Sequence, residues 1–328
     1  MSEFTARRIG RRRAITILAA GTGAALLPKA SRSAAPSRFE WRGRALGAPA
    51  RLVLYDRDRA TAAAAAVAAC VAEVARLENE FSLYRPDSAL SRLNRQGWLD
   101  APSHDMRRLL LEGQHFGFLS DGAFDITVQP LWRLYAEHFA ANPEATKGPP
   151  CAALAVALDL VDYRKLRVAD DHIAILPGMS VTLNGIAQGY ITDRVADLLR
   201  ARGWHHVLVD LGEIRALDGR PDGQPWLIGL TEAEKVPLAD QAVATSAGAG
   251  TPFSQDARSH HLLDPRSGHS ANTYRSVTVV AGRATAADAL SSAIYAAPRG
   301  EAARLLRTGG GIQARLTDMS GGVHHVHA

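Results

Sequence analysis

The chain has 328 residues, 47% of them hydrophobic, and a formal net charge of +5. That content supports a sizeable core, in one large domain or two small ones. The first 30 residues hold six of the 38 Lys/Arg and one of the 33 Asp/Glu, leaving 32 of each in the remainder, so charge gives no case for a nucleic-acid partner.

In chain order, "RRIGRRR" precedes a charge-free run of 14 residues, Ala14 to Leu27. A membrane span needs about 20, whereas this length suits the apolar core of a secretory signal. Arg12-Arg13-Ala14-Ile15 is similar to a twin-arginine export signal. Residues 1–35 are therefore read as an export segment, cleaved after Ala30 or Ala35, with an uncleaved N-terminal anchor as the alternative. Residues 36–328 are the working unit, expected in a bacterial periplasm. Two cysteines, Cys70 and Cys151, make neither a disulfide framework nor a zinc site. Cys70, inside an alanine-rich helical pattern, is expected to pack as a small core residue.

A strand is expected from Arg51, then a helix over Thr61–Phe81 with Val67, Val71, Val74, Leu77 and Phe81 on its apolar face. "RPDSALSRLNRQG" reads as a turn-rich loop with a short helix. Ser103 is placed to cap a helix running to Leu119, and Ala141–Pro150 reads as a surface linker. Short strands are expected at His172–Leu176, Val207–Leu211, Trp226–Leu230, Ala242–Thr245, His261–Leu263, Val277–Val280 and Ile312–Leu316. Ala284–Ala296 reads as a helix. Strands and helices do not strictly alternate, so the expected class is α+β, with mixed sheets packed with helices.

Four stretches could carry chemistry. Val181–Gly203, "VTLNGIAQGYITDRVADLLRARG", begins like a strand and becomes a helix ended by Gly203. Its helix start can face an anion. Gly189 costs the helix about 1 kcal/mol relative to Ala, so it makes room for something, a ligand or a tightly packed helix. Asp288 and Ser292, four apart in "ATAADALSSAIYAAP", share one helical face. One carboxylate and one hydroxyl suit Mg²⁺ when phosphate supplies the remaining oxygens; a solvated Asp and a packed Ser are the plainer reading. In "HHLLDPRSG", Asp264–Gly268 is a tight turn, and His260 and His261 face opposite ways if extended. Ser120–Trp132, "SDGAFDITVQPLW", places Phe124, Asp125 and Thr127 in an extended run after a glycine turn. His324, His325 and His327 follow a glycine run at the terminus, where a disordered end is expected before a metal site.

These segments, taken together and in order with "FSLYRPDSALSRLN" and "VLVDLGEIRAL", resemble the ApbE family of FAD:protein FMN transferases from about Arg42 to Ala297. The "TLNGIAQGY" form with an export signal is most similar to its NosX-like branch, linked to nitrous-oxide reductase maturation. The resemblance implies one catalytic unit with an FAD cleft, FAD as substrate and Mg²⁺ as cofactor. FMN passes to a threonine of an acceptor redox protein, such as a NosR-like membrane flavoprotein, and AMP leaves. No nucleic acid is expected, and at most peripheral or N-terminal membrane association. The implied FAD contacts are Leu46, Tyr84, Ala123, Phe124, Asp125, Thr182, Gln188 and Leu262. Gly185 (through its carbonyl), Asp288 and Ser292 match the metal ligands, with Asp288 counted as catalytic, and His261 matches the acid/base. Gln188 stands where Lys or Glu is usual, Thr182 where Asp is common, Ser292 where Thr is usual and Leu46 where Met often sits. "VDLGEIRAL" is one residue short of the usual Gly-Gly-Asp form. FAD pyrophosphatase activity, or flavin carriage without catalysis, are the competing functions.

Overall fold

A computed structural model describes residues 37–56 and 60–328 of the chain; the 1–35 segment read as an export signal lies outside the described residues. An antiparallel hairpin, β1 (Ser37–Ala45) and β2 (Ala48–Asp56), leads to α1 (Ala60–Phe81), α2 (Ala89–Gln96), β3 (Trp98–Asp100) and α3 (His104–Leu119). Helices α4 (Gln129–Ala141) and α5 (Cys151–Leu158) precede β4 (Arg167–Val168) and β5 (His172–Ala174). Then come α6 (Ala187–Ala201), β6 (Val207–Asp210), β7 (Ile214–Leu217), β8 (Trp226–Gly229), β9 (Lys235–Leu238) and β10 (Ala242–Ser246). The last elements are β11 (Tyr274–Ala281), α7 (Ala284–Ala296), α8 (Ala302–Gly309), β12 (Gly311–Asp318) and β13 (Val323–His327).

The main sheet has eight strands in the order β1-β2-β6-β7-β10-β11-β12-β13, each antiparallel to its neighbours. A small sheet, β3-β5-β4, and the β8–β9 hairpin stand apart from it. Alternation along the strands buries both faces of the main sheet. Leu52, Leu54, Val207, Val209 and Val279 join the core that also holds residues of α1, α6 and α7. Val53, Leu208, Ile214, Val243 and Val280 face the other way, under Trp226, Ile228 and Val236 of the β8–β9 hairpin. The class is α+β, as expected.

Local signals read from the sequence act as expected at the helix ends. The Ser103 hydroxyl accepts from Met106 N–H at 3.0 Å. Gly203, just past α6, takes φ +77°, the left-handed conformation that a β-carbon opposes. Asp264–Gly268 closes with Gly268 N–H donating to the Asp264 carbonyl at 2.8 Å.

Five expectations need correction. Val181–Leu183 forms no strand; it runs as irregular chain, held by Asn94, whose amide bonds both the N–H and the carbonyl of Val181 at 2.7 and 2.8 Å. Phe124–Thr127 is a turn rather than an extended run, because the Asp125 carboxylate bonds Thr127 two residues on. His261–Leu263 makes no strand, only the isolated bridges Pro252–His260 and Leu263–Ser270 around it. Val71 faces solvent and Cys70 takes its place in the core of α1, where burial pushes the thiol pKa up to about 12. The histidine-rich end is not disordered: it is β13, paired with β12 from Gln313–His327 to Thr317–Val323.

Candidate active site at the crossing of α6 and α7

Neither α6 nor α7 carries a capping side chain of its own, since Ile186 and Arg283 stand at the cap positions. The first N–H groups of each helix therefore need partners from elsewhere. Each helix supplies the other. Asp193 of α6 accepts from Ala284 N–H (2.8 Å), Thr285 N–H (2.9 Å) and the Thr285 hydroxyl (2.6 Å) at the start of α7. Asp288 of α7 accepts from Gly189 N–H at 3.0 Å in the first turn of α6. Both carboxylates are buried at the positive end of the partner helix, where negative charge is favoured. Arg283 and Arg215 flank Asp193 at 3.5 and 3.9 Å.

Close approach explains the glycine in α6. A β-carbon on Gly189 would sit 2.6 Å from the Ala284 carbonyl carbon and 2.9 Å from the Asp288 Cβ. The room at Gly189 is taken by α7 itself, the packing alternative, rather than kept for substrate.

Gly185 precedes α6 and approaches the same face of α7 further along, at Ser292. A β-carbon there would lie 3.2 Å from the Phe124 ring and 3.3 Å from the Ser292 hydroxyl. Three residues from separate segments thus meet next to Asp288, which lies one turn before Ser292 on α7. The donor types are a carboxylate, a hydroxyl and a backbone carbonyl, all hard oxygens suited to Mg²⁺. Among the described residues no cluster of three His, Cys, Asp or Glu could hold a metal, so phosphate oxygens would have to complete this set. Ser246, at the end of β10, lies 3.1 Å from the Ser292 hydroxyl and 2.8 Å from that of Ser291. Sequence reading missed Ser246, because nothing local shows a strand end meeting a helix 46 residues on.

The surrounding loops are tied to this centre. Thr182 N–H donates to the Ile126 carbonyl at 2.7 Å, joining the irregular Val181–Asn184 chain to the Ala123–Asp125 loop. The Thr182 hydroxyl accepts from Asn184 N–H at 3.3 Å, a turn bond that an aspartate could equally make, so this position keeps the turn without the charge. Asp125 spends both carboxylate oxygens on protein donors, accepting from Thr127 N–H (2.7 Å) and hydroxyl (2.6 Å) within its loop and from Tyr163 N–H (2.9 Å) further along the chain. Burial raises its pKa against the pull of those bonds. What this stretch offers a ligand is therefore backbone and the Phe124 ring. Gln188 is buried and donates to the Leu211 carbonyl at 2.8 Å. A β-carbon on Gly212, at φ +107°, would come within 2.8 Å of the Gln188 Cδ, so glycine there admits the amide.

The two histidines differ in setting and in tautomer. His260 is buried against Tyr295 of α7, ring centroids 5.8 Å apart, and its Nδ1 accepts from Leu262 N–H at 3.3 Å. Loss of water holds its pKa below the ordinary histidine value. His261 is half-buried, and its Nδ1 lies 3.2 Å from the Thr251 carbonyl. A carbonyl only accepts, so that Nδ1 carries the proton and Nε2 is the basic nitrogen. The Gly248–Gly250 turn below it is held by Tyr295, whose hydroxyl accepts from Gly248 N–H at 3.2 Å. Arg266, in the turn after Leu262, donates to the Ala296 carbonyl at 2.8 Å and fixes that loop to the end of α7. Leu262 itself is partly buried against the main core.

Tyr84 is 79% exposed and lines a cavity of about 380 Å³ with Asn94, Gln129, Trp132, Arg133 and Asn184. No residue of α7 lines it; Asn184, beside Gly185, is its nearest approach in the chain to the α6–α7 centre. Leu46 sits at φ +53° in the β1–β2 turn, its N–H held at 2.7 Å by Glu78 of α1, the helix that leads into Tyr84. No hydrogen bond among the described residues ties Leu46 to α6 or α7.

The chain is similar to known proteins over most of its length. The ApbE family model matches residues 46–316. The FAD:protein FMN transferase of Vibrio cholerae is 30% identical over 66% of this chain and 69% of its own length. That of Treponema pallidum is 30% identical over 82% of this chain and 81% of its own. The crystal structure of the ApbE protein from Thermotoga maritima superposes with a TM-score of 0.78 at 26% identity, covering 88% of this chain and 97% of that one. The flavinyl transferase ApbE of Pseudomonas stutzeri gives 0.75 at 26%, covering 89% and 96%. With a family match over most of its length, the chain belongs to the ApbE family.

Proposed function

We propose that the chain is an FAD:protein FMN transferase that places FMN on a threonine hydroxyl of an acceptor redox protein and releases AMP. The observation that carries this reading is the approach of Gly185 to Ser292, one turn along α7 from Asp288, where that carboxylate caps α6. Asp288, Ser292 and the Gly185 carbonyl are the residues that would hold Mg²⁺. When bound, the ion neutralises diphosphate charge and organises the phosphoryl group for in-line displacement. Tyr84 and the Phe124 ring offer aromatic faces to the substrate, and the Ala123–Asp125 backbone offers hydrogen bonds.

His261 takes the proton of the incoming threonine hydroxyl on Nε2, with Nδ1–H anchored on the Thr251 carbonyl. The threonine oxygen then bonds the FMN phosphorus as the bond to the AMP phosphate oxygen breaks. The acceptor class is a NosR-like membrane flavoprotein, and export of the chain by the twin-arginine route would place it in the periplasm beside that partner. Fractionation of cells carrying an Arg12→Lys, Arg13→Lys variant tests the route; unchanged periplasmic yield would reject it.

Incubation with FAD, Mg²⁺ and an acceptor domain bearing the target threonine should add one FMN, read by intact mass. His261→Asn should slow this by about 10²–10⁴-fold while leaving FAD binding intact. Free FMN and AMP formed at the same rate without acceptor would instead identify a pyrophosphatase, and FAD binding with no turnover would identify a carrier.

A further inference from the structure

The three hydroxyls beside the α6–α7 centre form a chain whose direction the proton count fixes. A serine hydroxyl has one proton to donate, while a carbonyl oxygen can only accept. Ser291 lies 2.9 Å from the carbonyl oxygen of Asp288 and donates to it. Its proton is then spent, so at the 2.8 Å contact with Ser246 it must accept. Ser246 in turn has given its proton to Ser291, so at 3.1 Å from Ser292 it too must accept. Ser292 is left with its proton turned toward β10. Its lone pairs are then available on the side of Gly185, whose β-carbon position is 3.3 Å away.

We propose that Ser246 and Ser291 are positioning residues that hold the Ser292 hydroxyl as an acceptor toward the cleft, through a relay ending on the Asp288 carbonyl. This rests on the reading of Ser292 as a metal ligand. A hydroxyl can coordinate a cation only through a lone pair, and one that aims its proton at the cation repels it. The relay removes that second orientation. It also explains how a half-buried serine can serve without the methyl group that would restrict a threonine rotamer. Ser291 touches neither Gly185 nor Ser292 by any hydrogen bond in the structure, yet its loss frees the proton of Ser246 to turn to Ser292 and reverses the chain.

The test is binding of Mn²⁺, as a spectroscopic substitute for Mg²⁺, to the full chain loaded with FAD, followed by electron paramagnetic resonance. Ser246→Val and Ser291→Ala should each weaken Mn²⁺ about five- to tenfold, the worth of one net hydrogen bond, with FAD affinity measured without metal unchanged. The conservative Ser246→Thr, which adds a methyl group but keeps the hydroxyl, should bind Mn²⁺ as the wild type does. The double variant Ser246→Val, Ser291→Ala should be no weaker than Ser246→Val alone, because one break already disables the chain. If Ser291→Ala fails to fold, the Ser246→Val and Ser246→Thr pair decides. No Mn²⁺ binding by the wild-type FAD complex would remove the metal reading itself. Binding in the wild type with Ser246→Val or Ser291→Ala unaffected, or with additive losses in the double variant, would overturn the relay and leave the metal site standing.

Discussion

Asp288 carries two duties that one substitution can separate. In Asp288→Asn an amide oxygen can still accept from Gly189 N–H, so the cap on α6 survives as a neutral hydrogen bond. A bond to a charged group contributes about 1.5–3 kcal/mol and a neutral one about 1, so the expected loss of stability is roughly 1 kcal/mol. With a urea m value of about 3 kcal/mol per M, the unfolding midpoint should fall by only ~0.3 M. The chemistry should suffer far more, because the amide removes the one anionic ligand from the proposed Mg²⁺ site. Loss of a single preorganised charge-stabilising group costs about 10²–10³ in rate. The assay is FMN transfer followed by intact mass, with urea unfolding on the same preparation. Transfer within a few-fold of wild type would refute the ligand assignment. A collapse in stability beyond about 4 kcal/mol would show instead that the charge chiefly serves the fold. Asp193→Ala supplies the contrast: it strips partners from two N–H groups and the Thr285 hydroxyl, and removes a carboxylate from beside the buried Arg215. It should cost about 3–5 kcal/mol.

Gly189→Ala should destabilise by about 3 kcal/mol or more, because the obstruction is α7 backbone, and circular-dichroism melting measures it. Gly185→Ala should leave the melting temperature nearly unchanged, since Phe124 and Ser292 need yield only slightly, while transfer falls; equal losses of stability in the two variants would contradict the packing described. His260 is held neutral by burial, its folded pKa lying below the ordinary value of 6.5. Its contribution is therefore present above pH 6.5 and is lost as the pH falls through the lowered folded value. Urea midpoints should drop between about pH 7.5 and 5.5, and less steeply in His260→Gln; parallel slopes would dismiss the role.

Long periodic segments were legible in the chain before any fold was known. Thr61–Phe81, Ala284–Ala296 and the cap at Ser103 each reside in local pattern, and α1, α7 and α3 follow it closely. The candidate site was legible only as a set of residue types, Gly185 and, far along the chain, the Asp288–Ser292 pair. Their meeting depends on Asp193 and Asp288, and nothing local in either helix marks its carboxylate as the cap of the other. Asn94 is similar, since an amide that bonds both sides of Val181 replaces the strand expected there. The apolar run Val181–Leu183 carries the right composition for a strand, but no neighbour offers it a ladder. At the other end, β13 shows pairing overriding composition, because the backbone of a histidine-rich tail completes a sheet as well as any other.

The mutual capping of α6 and α7 also bears on synthesis. Their partner carboxylates are separated by 91 and 99 positions from the groups they bind. A ribosome that has released the first of these helices has made a start with no acceptor for it, and the cleft acquires its carboxylate only when nearly the whole polypeptide has emerged. A product ending before residue 284 lacks α7, and with it both the Asp288 carboxylate that caps α6 and the N–H groups that Asp193 holds, so the crossing can assemble only late in synthesis.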